Sequence, residues 1–471
     1  MRRISVGVCS VLFCFQASCG SDPPFGVGIS IERSGPDTPS AEANENDVGR
    51  LGATLPTRHW ARGSVHVLAW ARASADAGAQ RAVALTPPVS TGTSRIEISS
   101  DRGLSWTTEL EVDLAAGEVL WRVPDDSPRL LDVRLVRSDG DPPELLYPSV
   151  HVVDSQERDS KVVTLADPNV SPRDGAGAVV FDDRMWLIGG WNPLDPIGFP
   201  RTTSNDVWSS RDGVSWTLEK PNTFVDDDFD AAADWAGRHT AGYAAHDGRM
   251  WIVGGDTANG DYQMDVWSSS NGRNWVRATA AAPFPERVLL SAVSFSGSLY
   301  AYGGQHWDGT FFNDVWRSTD GSTWQKMPDT TPRWSGRGSI EGAAVLGDRM
   351  WVVGGGRYAT ATTPWEAFRD VWSSADGVGF RLEGDEVSPW SARTYHTVIV
   401  HDDRIFVLGG YDEVAGNLAD AWYTKDGENW YPIADPVFRA RHAASAWSYH
   451  GSLYFGFGNT EGFTADVVRI D

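Results

Sequence analysis

Residues 249–267 read RMWIVGGDTANGDYQMDVW, and parts of this stretch recur through the C-terminal two thirds of the chain. Its closing Asp-Val-Trp step returns six times, with changes in the last two copies, and begins at Asp206, Asp265, Asp314, Asp370, Asp420 and Asp466. Successive steps lie 59, 49, 56, 50 and 46 residues apart. A period near fifty residues indicates an array of small sheets, because one such unit cannot bury its own apolar faces.

Each repeat has the pattern of four short strands. In the second repeat, apolar and aromatic runs are separated by the turns Asp247-Gly248 and Asn271-Gly272, and the second run ends at Gly254-Gly255. Runs of this kind between glycine-containing turns predict a four-stranded antiparallel meander. We name its strands A to D, from the innermost to the outermost.

Glycine doublets follow strand B in five of the six repeats: Gly189-Gly190, Gly254-Gly255, Gly303-Gly304, Gly354-Gly355 and Gly409-Gly410. Such pairs suit places where backbones crowd or adopt positive φ. With the tryptophans of strands C and D, which would fill the wedges between sheets, the doublets make this part of the chain resemble the kelch-repeat β-propellers. The resemblance implies an all-β fold with a six-bladed kelch-type β-propeller over residues 158–471.

The sixth repeat ends after strand C and lacks a strand D. Upstream, residues 161–168 (KVVTLADP) resemble residues 429–436 (NWYPIADP), which form strand D of the fifth repeat. We therefore expect residues 161–166 to add the outer strand of blade six. Closure of this kind removes the exposed edges that an open array of sheets would present.

The N-terminal residues have the features of an export signal. Residues 1–18 combine Arg2 and Arg3 with an apolar stretch too short to span a membrane permanently. Small residues before Cys19 resemble a bacterial lipoprotein processing site, with simple secretion as the alternative. We expect a lipid at Cys19 that anchors the chain to a membrane, and an outer-membrane or cell-surface location, otherwise secretion.

Two further segments separate this signal from the repeats. Residues 19–50 are rich in Ser, Pro, Gly, Glu and Asn, which predicts a flexible tether. Residues 51–157 show longer alternating runs, and the stretch through Trp121 resembles immunoglobulin-like or fibronectin-like modules. The resemblance implies an N-terminal β-sandwich domain that acts as a spacer.

Loop lengths indicate which face of the repeats binds a ligand. In an antiparallel meander the A–B and C–D turns lie on one face, and the B–C and D–A loops lie on the other. The A–B turns are uniform, whereas the other set varies in length, as in residues 191–204, 220–237 and 356–368. Variable loops on a rigid scaffold are where binding is usually built. We call this side the variable-loop face.

Arginine begins strand A in every repeat, at Arg173, Arg238, Arg287, Arg337, Arg393 and Arg441. Six guanidinium groups around a channel mouth could hold carboxylates or sulfates in bidentate fashion. The kelch resemblance implies contacts from such arginines to acidic peptides. The alternative is that they tie adjacent blades together.

Aromatic and polar residues that follow the glycine doublets are the other candidate ligand-binding residues: Trp191, Asp256, His306, Trp307, Tyr358, Tyr411 and Asp412. Aromatic faces beside polar groups suit sugars or peptides. They equally suit ordinary loop caps. His239, His396 and His442 recur at the repeat period, which favours a scaffold role over metal ligation.

Charge and missing motifs narrow the function. A net charge of −23 argues against nucleic acid as a partner. No cofactor or metal site is predicted, although the acidic run Asp226–Asp230 leaves calcium open. The sequence favours a monomeric, non-catalytic extracellular binder of a glycan or protein. The alternatives are a surface scaffold and an enzyme that interconverts sialic-acid anomers, for which Glu286 and Glu341 are weak candidate catalytic residues.

Overall fold

The structure is a computed structural model. It describes residues 59–61, 65–69, 94–100, 104–113, 118–123, 127, 130–138, 143–153, 162–164, 169–194, 202–258, 262–338, 342–359, 363–383, 388–433 and 438–470. The expected signal segment, Cys19 and the tether lie outside these residues. Strands and turns account for the regular structure of the described ranges. Within them, no helix has the length and apolar character needed to cross a membrane.

Seven strands precede the repeats in the described part of the chain: β1 His59–Ala61, β2 Val65–Ala69, β3 Ser94–Ser99, β4 Thr107–Val112, β5 Glu118–Arg122, β6 Leu130–Val136 and β7 Glu144–Val153. Five of them make one sheet in the order β1-β7-β6-β3-β4, and β2 pairs with β5. Leu68 and Trp121 from the β2–β5 ribbon share a buried core with Ile96 and Val133 from the five-stranded sheet. The apolar residues of both layers therefore pack face to face.

The repeats form six antiparallel sheets, S1 to S6, in the described part of the chain. S1 contains β9 Gly177–Phe181, β10 Arg184–Trp191, β11 Thr203–Ser210 and β12 Trp216–Lys220; S2 contains β13 Gly242–His246, β14 Arg249–Asp256, β15 Tyr262–Ser269 and β16 Val276–Thr279; S3 contains β17 Ser291–Phe295, β18 Ser298–Tyr302, β19 Val315–Ser318 and β20 Gln325–Lys326.

The remaining repeats follow the same strand order. S4 contains β21 Ala343–Leu346, β22 Arg349–Arg357, β23 Glu366–Ser374 and β24 Arg381–Leu382; S5 contains β25 Thr397–His401, β26 Arg404–Leu408, β29 Ala421–Thr424 and β30 Trp430–Pro432; S6 contains β31 Ser445–Tyr449, β32 Ser452–Gly456, β33 Val467–Ile470 and β8 Val162–Thr164. A small hairpin, β27 Tyr411–Asp412 with β28 Gly416–Asn417, projects between β26 and β29.

Contacts between first strands run in a closed cycle. β9 contacts β13, and the series continues through β17, β21, β25 and β31 back to β9. Each of the six sheet-to-sheet interfaces in this cycle has its own buried apolar cluster. At the S1–S2 interface the cluster contains Trp186, Trp235 and Trp267. Large flat side chains bury the most area in such wedges, which explains why tryptophan recurs in every repeat.

Close packing between sheets also requires glycine at the C–D turns. A Cβ on Gly321 would lie 1.9 Å from the Trp251 ring of the preceding sheet. Gly272 and Gly427 meet Trp186 and Trp351 in the same way. The turn glycine of one repeat is thus matched to an aromatic residue on strand B of the repeat before it.

Two sheets include strands from outside their own repeat. In S6, β8 pairs antiparallel with β33, with Val163 opposite Arg469. In S5, β30 meets β2 at the pair Val65–Trp430, so the β2–β5 ribbon continues that sheet. Val65 also joins the buried cluster between S4 and S5. The β2–β5 ribbon therefore contacts the repeats directly.

Candidate functional site

The six strand-A arginines are buried and paired with the aspartates of the Asp-Val-Trp steps. Arg238 has 0 % exposure, and its Nη1 lies 2.5 Å from Asp265 Oδ1. The same group donates to the Gly254 carbonyl at 3.0 Å. The equivalent pairs are Arg173–Asp206, Arg287–Asp314, Arg337–Asp370, Arg393–Asp420 and Arg441–Asp466.

The same aspartates explain why tryptophan stands two residues later. Residues i and i+2 of a strand share a face, and the Trp267 indole N–H donates to Asp265 Oδ2 at 2.6 Å. Burial by itself would raise the pKa of Asp206, but the Arg173 charge and the hydrogen bonds hold that pKa below its usual value. The Asp206 carboxylate is therefore ionised, and both of its oxygens accept hydrogen bonds.

This geometry distinguishes the two roles considered for the arginines, which are binding an anionic ligand and tying adjacent blades together. Each guanidinium already binds a carboxylate, and in five of the six repeats it also binds the carbonyl of the first glycine in the doublet. In the sixth repeat the acceptor is the Phe457 carbonyl. A charge that is buried and satisfied in this way is poorly placed to bind an external anion. These contacts therefore favour a structural role for the arginines over the binding of an anionic ligand.

The centre of the variable-loop face is formed two residues after each arginine. Gly175, Thr240, Leu289, Tyr395 and Ala443 have φ between 50° and 59°. Their backbones bond in series: Gly175 N to Ala443 O, Thr240 N to Gly175 O, Leu289 N to Thr240 O, and Ala443 N to Tyr395 O. The distances are 2.8–3.0 Å. The equivalent sixth position, residue 339, lies outside the described residues.

Sequence reasoning missed these central positions. The arginine is the same in every repeat, whereas the residue two places later varies from Gly to Leu to Tyr. An alignment of the repeats on their arginines would have shown a variable position next to a constant one. That contrast is the signal expected where side chains surround a shared opening.

A small depression lies beside this centre. It is lined by Leu289, Gln305, Gly338, Gly356, Tyr358, Thr394 and Tyr395, and its empty volume is about 190 Å³. This volume includes space that is open to solvent, so the enclosed part is smaller still. Thr394 Oγ1 is buried there without a hydrogen-bond partner. The depression is therefore too small to enclose a sizeable molecule.

Aromatic residues that the structure describes on this face form three clusters. Trp191 stacks on His239 at 5.7 Å between ring centroids and meets the edge of Phe463. Tyr262, His306 and Trp307 form the second cluster, and the third contains Tyr358, Tyr395, His442 and Tyr411. Each cluster joins residues from at least two sheets. Of the candidates from the sequence, Tyr358 and Tyr411 come from separate loops and share one cluster, the neighbours His306 and Trp307 share another, and Trp191 lies in a third.

Exposure differs among the remaining candidates. Trp307 is 63 % exposed. Asp256 and Asp412 accept backbone N–H groups of their own turns, at 2.6 Å from Ala258 and 2.8 Å from Val414, which matches the loop-cap alternative. Glu286 Oε2 lies 3.9 Å from His306 Nε2. Glu341 lies outside the described residues.

Two of the recurring histidines are buried and neutral. Burial, with a smaller contribution from the Arg393 charge, lowers the pKa of His396 to about 4, and its Nε2 lies 2.9 Å from the Val353 carbonyl. Burial also lowers the pKa of His442 to about 4. A third buried group, Asp174, has its pKa raised well above the usual value by burial, although Asn459 bonds to it.

The acidic run in the S1–S2 connection is internally bonded. Phe229 N donates to the Asp226 carbonyl, and Ala232 N donates to Asp230 Oδ1 at 2.8 Å. Lys220 Nζ lies 2.8 Å from Asp234 Oδ2 nearby. Among the residues that the structure describes, no three His, Cys, Asp or Glu side chains are grouped so as to hold a metal ion.

Comparisons with known proteins agree with the strand pattern. A family model described as the DUF6242 β-propeller domain matches residues 239–374, and the kelch motif model matches residues 392–423. No curated protein matches the chain. The chain therefore contains an all-β domain of the kelch-type β-propeller kind, as the repeats predicted.

Proposed function

We propose that the repeats form a six-bladed propeller, with S1 to S6 as its blades and β8 as the outer strand of the sixth. The support is the closed cycle of contacts between first strands and the six apolar clusters between successive sheets. The pairing of β8 with β33 ties the start of the domain to its end. A ring of this kind leaves few unpaired strand edges and anchors the ends of its loops.

The function that this geometry supports best is the binding of a segment of an extracellular protein at the variable-loop face. One observation carries it: Tyr358 and Tyr395, which come from different sheets and are partly exposed, line a depression that is too small to enclose a ligand. Protein interfaces are enriched in aromatic residues and do not require a deep cavity. A shallow aromatic surface fits a peptide better than an enclosed small molecule.

A glycan is the second candidate ligand. The Trp191 ring stacks on His239 and remains partly exposed, and sugars stack on aromatic faces while their hydroxyl groups bond to polar neighbours. We infer binding without catalysis in either case. The enzyme alternative needs a carboxylate beside a free arginine, whereas Arg287 is engaged by Asp314 and Glu286 lies near His306.

The location of the protein is proposed from the sequence. We infer export through residues 1–18, lipid attachment at Cys19 and a tether that carries the domains away from the membrane, with the sandwich as a spacer. Metabolic labelling with a radioactive fatty acid tests the anchor. Label that persists in Cys19→Ser would contradict lipid attachment at that residue.

Peptide and glycan arrays probed with the full chain test the binding proposal. We expect hits that weaken in Trp307→Ala and Tyr411→Ala, and that persist in Val276→Ala. Val276 is 60 % exposed on the outer strand of S2, away from the variable-loop face. Hits that respond equally to all three substitutions, or no hits on either array, would contradict the proposal.

A further inference from the structure

An exposed indole near S3 lies beside a histidine that has two carboxylates near it. Trp307 is 63 % exposed, and the His306 ring lies 5.1 Å from it between centroids, tilted by 45°. Tyr262 from S2 meets His306 edge-on at 6.1 Å. Tryptophan is among the residue types that are enriched at protein interfaces.

Carboxylates flank the imidazole between these rings. His306 Nδ1 lies 2.9 Å from Asp308 Oδ1, and His306 Nε2 lies 3.9 Å from Glu286 Oε2. Both acidic side chains are close to half exposed, at 48 % and 46 %. Hydrogen bonds from His306 and Thr310 lower the pKa of Asp308 to about 2, so this carboxylate is charged at neutral pH. We call Glu286, His306, Trp307 and Asp308 the S3 cluster.

The loop that carries the S3 cluster is fixed by its own backbone. His306 N donates to the Thr310 carbonyl at 2.8 Å, and Gly309 N donates to the His306 carbonyl at 3.1 Å. Thr310 N donates to Asp308 Oδ1 at 2.9 Å. The arrangement therefore exists before any ligand arrives, which reduces the entropy lost on binding.

The electrostatics of the face favour a positive ligand. The ring arginines are buried against aspartates, and two more exposed arginines also lie near carboxylates, as in Arg357–Glu366 and Arg439–Asp466. The S3 cluster instead has two acidic groups around one imidazole. In a chain of net charge −23, an incoming cation is attracted rather than repelled.

We propose that the S3 cluster is a subsite for a cationic side chain, Arg or Lys, of a bound protein segment. The cation would lie over the Trp307 ring, which attracts positive charge through its π-face, and would pair with Asp308 and Glu286 at its edge. This inference rests on the proposed function and names the chemistry of the ligand. It reverses the expectation of an anion-binding mouth that the arginines suggested.

The test uses two capped pentapeptides, Gly-Ser-Arg-Ser-Gly and its citrulline counterpart, which differ mainly in charge. Saturation-transfer NMR with the full chain should show the arginine peptide binding at least about fivefold more tightly. Trp307→Ala and Asp308→Asn should each weaken it by about twofold to fivefold. Neither should alter the citrulline peptide by more than the Asp348→Asn control, whose side chain is exposed in an A–B turn on the opposite face.

The outcomes separate this inference from the proposed function. Equal binding of both peptides, or arginine-peptide binding that resists Trp307→Ala and Asp308→Asn, overturns the cationic subsite. If the arrays still give hits that respond to Tyr411→Ala, the proposed function survives that result. Failure of both pentapeptides together with empty arrays overturns both. Unchanged melting temperatures of the variants exclude unfolding as the cause of any loss.

Discussion

In five of the six repeats an Arg–Asp–Trp group ties strand A to strand C. The arginine of strand A reaches the aspartate of strand C across the sheet, and the tryptophan two residues later donates to the same carboxylate. The residues involved are separated by 25 to 33 positions. The repeat predicts that these residues matter, but spacing alone does not reveal that they bind one another. This is why the sequence left both roles of the arginines open.

Removing one partner of such a pair should destabilise the folded chain. Asp265→Asn leaves the Arg238 guanidinium, which has 0 % exposure, without its counter-charge. We expect the free energy of unfolding to fall by about 3–5 kcal/mol. Chemical denaturation of the full chain measures it.

The matched control is Glu366→Gln, which removes the partner of Arg357 at a site where both side chains are partly exposed. An exposed pair contributes about 1 kcal/mol or less. If both substitutions shift the denaturation midpoint equally, the buried pairs are not the main ties that we describe.

Histidine burial predicts a pH effect of definite sign. His396 has a pKa of about 4 in the folded chain, against about 6.5 when unfolded. Between these values the unfolded chain binds more protons, so stability falls as the pH drops from about 6.5 to 4 and is regained as the pH rises. His396→Gln removes this dependence while an amide N–H can still reach the Val353 carbonyl.

The measurement is the melting temperature of both proteins between about pH 4 and 8. We expect the native chain to lose more than His396→Gln on acidification, with no further divergence above about pH 7. A difference between the two curves that stays constant over this range would show that His396 is not held neutral by folding. The other titrating groups are common to both proteins, so their contributions cancel in the difference between the two melting-temperature curves.

Strands and turns were the elements most open to prediction from the sequence. Antiparallel strands and the propeller followed from local, periodic signals: alternation, turn glycines and the doublets after strand B. The reason for the doublets is visible only in three dimensions. Gly255 has φ of +109°, and a Cβ there would lie 2.7 Å from Ala241 Cβ and 3.2 Å from Arg238 Cδ. The lack of space beside Ala241 and the buried Arg238 is what excludes a side chain at this position.

Substituting one doublet glycine should therefore destabilise the sheet. Gly255→Ala combines backbone strain with a steric clash, and we expect a loss of about 2 kcal/mol or more. The control is Gly248→Asp in the A–B turn, where φ is +68° and no neighbouring atom lies within 4 Å of the position that a Cβ would take.

The chain itself shows that Asp fits that turn conformation, since Asp183 and Asp403 have φ of 53° and 54° in the equivalent turns. The control should cost less than about 1 kcal/mol, because Asp tolerates the left-handed region. Thermal unfolding distinguishes the two. Equal losses would mean that crowding beside the arginine is not the reason for the doublet.

At the scale of the molecule, the ring that we propose presents its variable side chains on one face. The sequence placed the variable loops on one face but could not show which of their residues meet. Trp191 with His239, and Tyr358 with Tyr395, lie 48 and 37 positions apart and come together only through ring packing. Pairings of this kind depend on the curvature of the whole array, which no local pattern encodes.

Hydrogen exchange of the full chain tests the central claim, that β8 and the six sheets close into one rigid ring. We predict that the amides of β8 (Val162–Thr164) that face β33 are protected to a similar extent as those of β33, and that Gly175, Thr240 and Leu289 exchange as slowly as the first strands. Cooperative opening of the ring would make these groups exchange together. Rapid exchange of β8 while β33 stays protected would contradict closure, and with it the fixed loop geometry on which the binding face depends.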